Sequence, residues 1–320
     1  MRLSVADLEA LYEEIPHAVF SCPAQLSFHD RLVYYWLGRS FFTGFGSIVD
    51  AGALIGGSAT LIGEGMRQNP CAAGLTKRIL SYDLFEDVAD GAMVQAIRAY
   101  ADLVVPEAVN GRVDFEPMFR AQTAAYADLI DIRRGDICTR GYADELPIEA
   151  LSFDVGKTPD LTLHVVREFM PRLVPGKSIV LNQDYLFAYQ PWLHMAMELL
   201  DDCFVKEFDA PTGCTSIHRL TRPITKELVR ERLGETGSDY FKLENVRCID
   251  SARQKASSPH NKLILRAAMI HAYWMLGRRR TAQALARQCL DEHNLSIADV
   301  ARIPPLARLF TQLGVPFEQM

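Results

Sequence analysis

The chain has 320 residues, 49% hydrophobic and 23% charged, with 34 basic against 40 acidic side chains and a net charge of −6. That balance excludes a disordered chain, a collagen-like repeat and a small disulfide scaffold, and a pI near 5.8 argues against nucleic acid as the main partner. Residues 223–320 carry a net +5 and residues 1–222 a net −11, so the charge itself points to separate units.

Residues 3–44 read as helical: Leu8, Leu11, Tyr12 and Ile15 recur at helical spacing, Pro16 interrupts them, and an aromatic-rich run follows over 32–42. From Ser47 the pattern changes to short apolar runs, at 47–50, 78–83, 129–132, 151–154 and 178–181, separated by helical segments. Runs of that kind predict a parallel sheet covered on both faces. Two further runs, 203–208 and 214–220, flank Pro211-Thr212-Gly213 and read as an antiparallel hairpin closing the sheet. After Pro223 the chain turns helical again. Residues 263–276 and 281–290 form an amphipathic pair around Gly277, similar to one tetratricopeptide unit through Ala268, Tyr273, Leu276, Gly277, Ala282 and Ala286. One unit cannot bury its own face, so the pair is expected to pack on the α/β body or on a second subunit. The expected organisation is an N-terminal helical lead-in over 1–46, an α/β core over 47–222 and a helical extension over 223–320.

No stretch approaches the ~18–20 apolar residues of a membrane span, and the first residues lack the basic-then-apolar layout of a signal peptide. The seven cysteines are scattered and never spaced Cys-x-x-Cys, which reads as reduced thiols in a cytoplasmic protein.

Chemistry concentrates at the ends of the apolar runs. Val49-Asp50-Ala51-Gly52-Ala53-Leu54-Ile55-Gly56-Gly57-Ser58 is a strand entering a glycine turn and then a helix, where backbone and the positive helix end can approach an anionic group. Tight strand–helix turns also need glycine for packing alone. The spacing is not Gly-x-Gly-x-x-Gly, which disfavours a dinucleotide enzyme. Asp83, ending the next run, can accept from both hydroxyls of a ribose; Asp136 in Arg134-Gly135-Asp136-Ile137 can accept from an adenine amino group. Each alone reads equally as a turn or cap residue. Gly156-Lys157-Thr158 and Gly176-Lys177-Ser178 imitate the end of a phosphate loop but lack its first glycine, with Leu151 and Pro171 in its place.

Residues 49–58 resemble the first motif of class I S-adenosylmethionine-dependent methyltransferases. Tyr82-Asp83-Leu84-Phe85-Glu86 resembles the acidic second motif of the macrocin-type sugar O-methyltransferases, and residues 151–157, 168–176 and 179–185 look like that family's last motifs. The resemblance covers roughly residues 45–222 and implies a Rossmann-like seven-stranded, mostly parallel sheet with helices on both faces. It implies that Gly52, Gly56, Gly57 and Ser58 surround the methionine part of S-adenosylmethionine, with Asp50 a further cofactor-binding residue, that Asp83 holds the ribose, and that Asp136 with Ile137 holds the adenine. It further implies methyl transfer to an oxygen of a sugar or natural-product-like small molecule.

At the catalytic end, relatives hold Mg²⁺ with acids after the fourth and fifth strands. Here Asp154 and Asp184 remain as catalytic and metal-ligand candidates, Gly156 replaces one acid, and Asn182 or Gln183 offers only a neutral ligand. Lys157, placed like the lysine base of catechol-type relatives, needs a lowered pKa to act as one; otherwise it is a solvated lysine or a partner of Asp154. His164, His194 and His218 are unplaced candidates for a base. The rival reading is a non-catalytic relative that binds or assembles, with the helical extensions as surfaces for a homo-oligomer.

Overall fold

The structure, a computed structural model, describes residues 3–100, 103–293 and 304–313. Parts of the expected 223–320 extension, 294–303 and 314–320, therefore lie outside the described residues. The described residues form nine strands: β1 (Ser47–Ala51), β2 (Ile79–Asp83), β3 (Glu86–Val88), β4 (Arg112–Asp114), β5 (Ile130–Arg134), β6 (Ile148–Phe153), β7 (Ile179–Asn182), β8 (Phe204–Asp209) and β9 (Ser216–Leu220). Seven of them make one sheet in the order β5-β2-β1-β6-β7-β9-β8. All pairs are parallel except β7–β9 and β9–β8. The expected Rossmann-like sheet is the one observed, and the hairpin closes it by inserting its second strand beside β7.

Side-chain alternation explains why the strands read as continuously apolar. Val49, Ala51, Leu80, Tyr82, Leu151, Phe153 and Val180 join one buried cluster; Ile48, Ile79, Ile130, Ala150, Ile179 and Leu181 join the other. Both faces must be covered, and helices cover them. The N-terminal helix Phe28–Trp36, closed by a Ser27/Asp30 capping box, packs with the helix Gly57–Arg67 on the second face. The helices Pro159–Glu168 and Pro191–Leu199 lie on the first, and the C-terminal helices stack onto them.

The helix pair expected around Gly277 is Pro259–Met275 and Arg279–His293, with Gly277 at φ +76°. It packs on the α/β body: Leu265, Ile270, Ala282 and Ala286 belong to the same cluster as Val49 and Val180. Among the described residues no helix is long and apolar enough to cross a membrane.

Beneath the C-terminal helices lies a polar group that the sequence reading left unplaced. The ring of Tyr185 sits 4.9 Å from that of His194 and 4.8 Å from that of His218. Nε2 of His194 donates to the Tyr185 carbonyl (2.5 Å), and its Nδ1 has no partner among the described residues. Burial pushes His194 down to about 4 and His218 to about 3; Lys206 reinforces both shifts. In an unfolded chain an imidazole titrates near 6.5, so between pH 6.5 and 4 the unfolded state binds more protons and stability falls as pH drops. At pH 5 each histidine is expected to cost about 2 kcal/mol relative to neutral pH. Asp50, raised by burial to about 7, works in the opposite direction, so a variant must isolate the effect. His194→Gln keeps a donor and should lose about that much of the difference between urea unfolding at pH 7 and pH 5; an unchanged difference would refute the assignment.

Candidate active site

The carboxyl ends of β1, β2, β5 and β6 converge where β1 and β6 leave in opposite directions along the sheet, the position where open α/β sheets place ligands. A cavity of about 450 Å³ opens there. Gly52, Gly57, Ser58, Asp83, Asp136, Ile137, Asp154 and Lys157 all line it. The sequence-predicted residues are thus brought together, apart from Asp50, Gly56 and Asp184, which stand behind or beside its wall.

Gly52 adopts φ +101°, and a Cβ there would stand 3.0 Å from the Asp154 carbonyl oxygen, so glycine lets β1 and β6 end side by side. Gly57 begins the helix Gly57–Arg67, and a Cβ would stand 2.2 Å from that of Ala24. Packing against the N-terminal segment therefore requires this glycine independently of any ligand. Behind the turn, Asp50 accepts from the Ser58 hydroxyl at 2.9 Å. Burial raises its carboxyl to about 7, the Ser58 hydrogen bond opposes the shift, and Asp83 adds to it.

Asp83 holds two turns at once. Its Oδ2 accepts from the Leu54 N–H (2.8 Å) and its Oδ1 from the Phe85 N–H (2.7 Å). Both donors sit at positive φ, +45° and +55°, a conformation costing roughly 1–2 kcal/mol for a residue with a side chain. Burial raises the Asp83 carboxyl while the N–H groups of Phe85, Leu54 and Leu84 hold it down. Each oxygen keeps a lone pair for a ligand facing the cavity. Asp136 caps the short helix Ile137–Arg140, accepting from the Cys138 N–H at 2.9 Å, and so serves the cap as well as the cavity wall.

Beyond β6, Nζ of Lys157 donates to Asp154 at 2.7 Å and also to Asp184. Asp184 also accepts from Nε2 of Gln190, at 2.6 Å. Burial raises Asp154, with Lys157 opposing and Asp184 reinforcing the shift. Burial alone would lower Lys157, but Asp154 and Asp184 outweigh it and hold the ammonium above its ordinary value. The Asp154 and Lys157 side chains are 30% and 52% exposed, so solvent at the cavity mouth softens both shifts. Lys157 is thus charged and engaged, the partner-of-Asp154 alternative, rather than a free amine. Cys214 stands in the same field: burial, Asp30, Asp184 and Asp154 push its thiol up to about 12.

The two neutral candidates turn away. Asn182 pairs with Nδ1 of His218 at 3.1 Å, and the Gln183 side-chain amide meets the Thr215 hydroxyl at 2.6 Å. Among the described residues no three His, Cys, Asp or Glu side chains cluster as a metal site. His164, His194 and His218 do not line the cavity.

Two parts of the wall carried no local sequence pattern. The N-terminal segment contributes Ala24, Gln25, Leu26 and Tyr34. The hydroxyl of Tyr34 meets that of Ser152 at 2.8 Å, the Ser27 hydroxyl donates to the Thr212 carbonyl at 2.6 Å, and Asp30 accepts from the Thr215 hydroxyl at 2.6 Å. Opposite, the excursion carrying β3 and β4 supplies Leu84, Glu86, Asp87, Met93 and Phe115.

No family model matches the chain, and no curated protein matches it. Among solved structures it is similar to the O-methyltransferase NovP, at 18% identity over 55% of this chain and 72% of that one, with a TM-score of 0.39. It is similar also to the pyocyanin biosynthetic protein PhzM, at 13% identity over 68% of each chain, with a TM-score of 0.35. Likenesses this distant carry no argument about activity, which must rest on the cavity.

Proposed function

We propose that the chain binds S-adenosylmethionine in this cavity and transfers its methyl group to a hydroxyl of a small acceptor, a sugar or a natural-product-like molecule. The observation that carries the reading is the joining in one cavity of the glycine turn, the Asp83 carboxylate, the Gly135–Ile137 edge and the Asp154/Lys157 pair. Its volume lies within the roughly 300–1,000 Å³ typical of small-molecule sites.

The residues fit an adenosyl ligand. Gly52 and Gly57 leave bare backbone at the head of a helix; Asp83 offers two acceptors to a pair of vicinal hydroxyls; Asp136 and Ile137 edge the far end. When bound, S-adenosylmethionine supplies a methyl group on positively charged sulfur, which an acceptor oxygen takes as the carbon–sulfur bond breaks. The protein's share is positioning and proton removal. Asp154, raised by its burial, is the group we assign to receive the hydroxyl proton, and Asp184 completes the acidic end. Tyr34 and Leu26 wall the cavity and limit water around the acceptor.

Calorimetric titration with S-adenosylhomocysteine, with NAD as control, tests the cradle: micromolar binding of the first and none of the second is expected. Asp154→Ala and Asp184→Ala should leave that affinity within about threefold yet reduce turnover of S-adenosylmethionine on a panel of glycosides and phenols by about 100-fold or more. Turnover equal to the wild type in both variants would refute the catalytic assignment.

A further inference from the structure

We infer that the Lys157 ammonium occupies the cation position of this site, so that the chain binds its acceptor between Asp154 and Asp184 without a divalent metal. The inference deepens the proposed methyl transfer, and depends on that reading only for the purpose it gives the site.

Mg²⁺ requires about six oxygen ligands at 2.0–2.1 Å and takes at least one or two carboxylates from the protein. Asp154 and Asp184 are brought close enough to share one cation, and the cation between them is Nζ of Lys157. The neighbouring amides turn nitrogen rather than oxygen toward their partners, Asn182 Nδ2 to His218 and Gln190 Nε2 to Asp184, and the Asn182 Oδ1 and Gln190 Oε1 have no partner among the described residues. Gly156 has no side chain, and its carbonyl already accepts from the Trp192 indole at 2.7 Å. Gln183 is engaged by Thr215. Gln190 presents an amide N–H₂ to Asp184, and an N–H donor cannot ligate a metal. A divalent ion entering here would have to displace the ammonium, strip the Gln190 bond and sit beside an uncompensated lysine.

The arrangement has a function as it stands. An ammonium has three donors. Two are used on the carboxylates, and Lys157 itself lines the cavity, where the third is available to a ligand. It can hold an acceptor oxygen beside Asp154, the orienting task that a metal performs elsewhere. Lys157 is thus a positioning residue, and Gln190 supports it by fixing Asp184.

Paramagnetic resonance with Mn²⁺ as probe tests this on the full chain. Wild-type protein should bind no Mn²⁺ below millimolar concentration, whereas Lys157→Ala, which leaves the two carboxylates unpaired, should gain a site at least tenfold tighter. Lys157→Arg keeps the charge and should gain none. Adding Asp184→Asn to Lys157→Ala should remove the gained site. Tight Mn²⁺ binding by the wild type that Asp154→Asn abolishes would overturn the inference. So would a folded Lys157→Ala protein, or a folded Lys157→Gln if the alanine variant unfolds, that gains no site. S-adenosylhomocysteine affinity, measured on the same samples, reports separately on the methyltransferase reading, so failure of one is distinguishable from failure of the other.

Discussion

Asp83→Ala is expected to lower affinity for S-adenosylhomocysteine by several hundred-fold while leaving the protein folded. Hydrogen bonds to a charged group contribute about 1.5–3 kcal/mol each, and a ribose would lose two of them. A second loss is added within the protein. Without the carboxylate, Leu54 and Phe85 hold positive φ with no acceptor for their N–H groups, so both turns bordering the cavity loosen. Asp83→Asn separates the two effects: it retains one carbonyl acceptor and should lose affinity by roughly one hydrogen bond, about tenfold. Titration calorimetry with circular dichroism as the folding control makes the measurement. Unchanged affinity in Asp83→Ala would remove the ribose assignment and, with it, the adenosyl reading of the cavity.

The largest effect on stability is expected at Glu149, which takes no part in the cavity. It is fully buried on β6 and accepts from the Thr43 N–H (2.6 Å), the Thr43 hydroxyl (2.9 Å) and the N–H groups of Gly44 (3.1 Å) and Gly46 (3.3 Å). These bonds pin the last turn before β1 to the strand beside it. Glu149→Leu fills the space but leaves the N–H groups of Thr43, Gly44 and Gly46 without their acceptor, Gly46 buried and the other two partly so, at about 1–3 kcal/mol for a buried group and less for the others. A loss of about 3–5 kcal/mol follows, lowering the melting temperature by about 10 °C for a chain of this size. Glu149→Gln, retaining one acceptor oxygen, should lose about half as much. A melting temperature within 2–3 °C of wild type for the leucine variant would show that the turn finds other partners.

These two residues mark what could and could not be read from the chain. Asp83 was legible because strand ends in a parallel sheet carry their chemistry within a few residues of an apolar run, and β2 is such a run. Glu149 was not, since its partners stand more than 100 residues earlier and nothing near it advertises them. The same distance hid Tyr34, whose contact with Ser152 spans 118 residues. β3 and β4 escaped for another reason. Three residues each, they present one buried side chain, Val113, and are clamped by the Glu86–Arg112 ion pair at 2.9 Å rather than by an apolar pattern. At the acidic end the residue types were evident but their direction was not. Strand alternation sends Asn182 toward His218, and only Asp184, past the end of β7, returns to Lys157.

The strand order also bears on how the protein is made. β1 is central, yet only one of its neighbours, β2, follows soon after it; the other, β6, does not leave the ribosome until Phe153, and the outer edge of β7 waits for Leu220. A growing chain therefore carries an unpaired apolar strand through much of its synthesis, the condition in which strands join the wrong chain. The Ser27–Thr212 and Asp30–Thr215 bonds wait for the same hairpin, so the helix Phe28–Trp36, though made early, is fastened there only when most of the sheet has been made. The N-terminal wall of the cavity is thus fastened late, and a newly made chain acquires most of its sheet before it acquires a closed site.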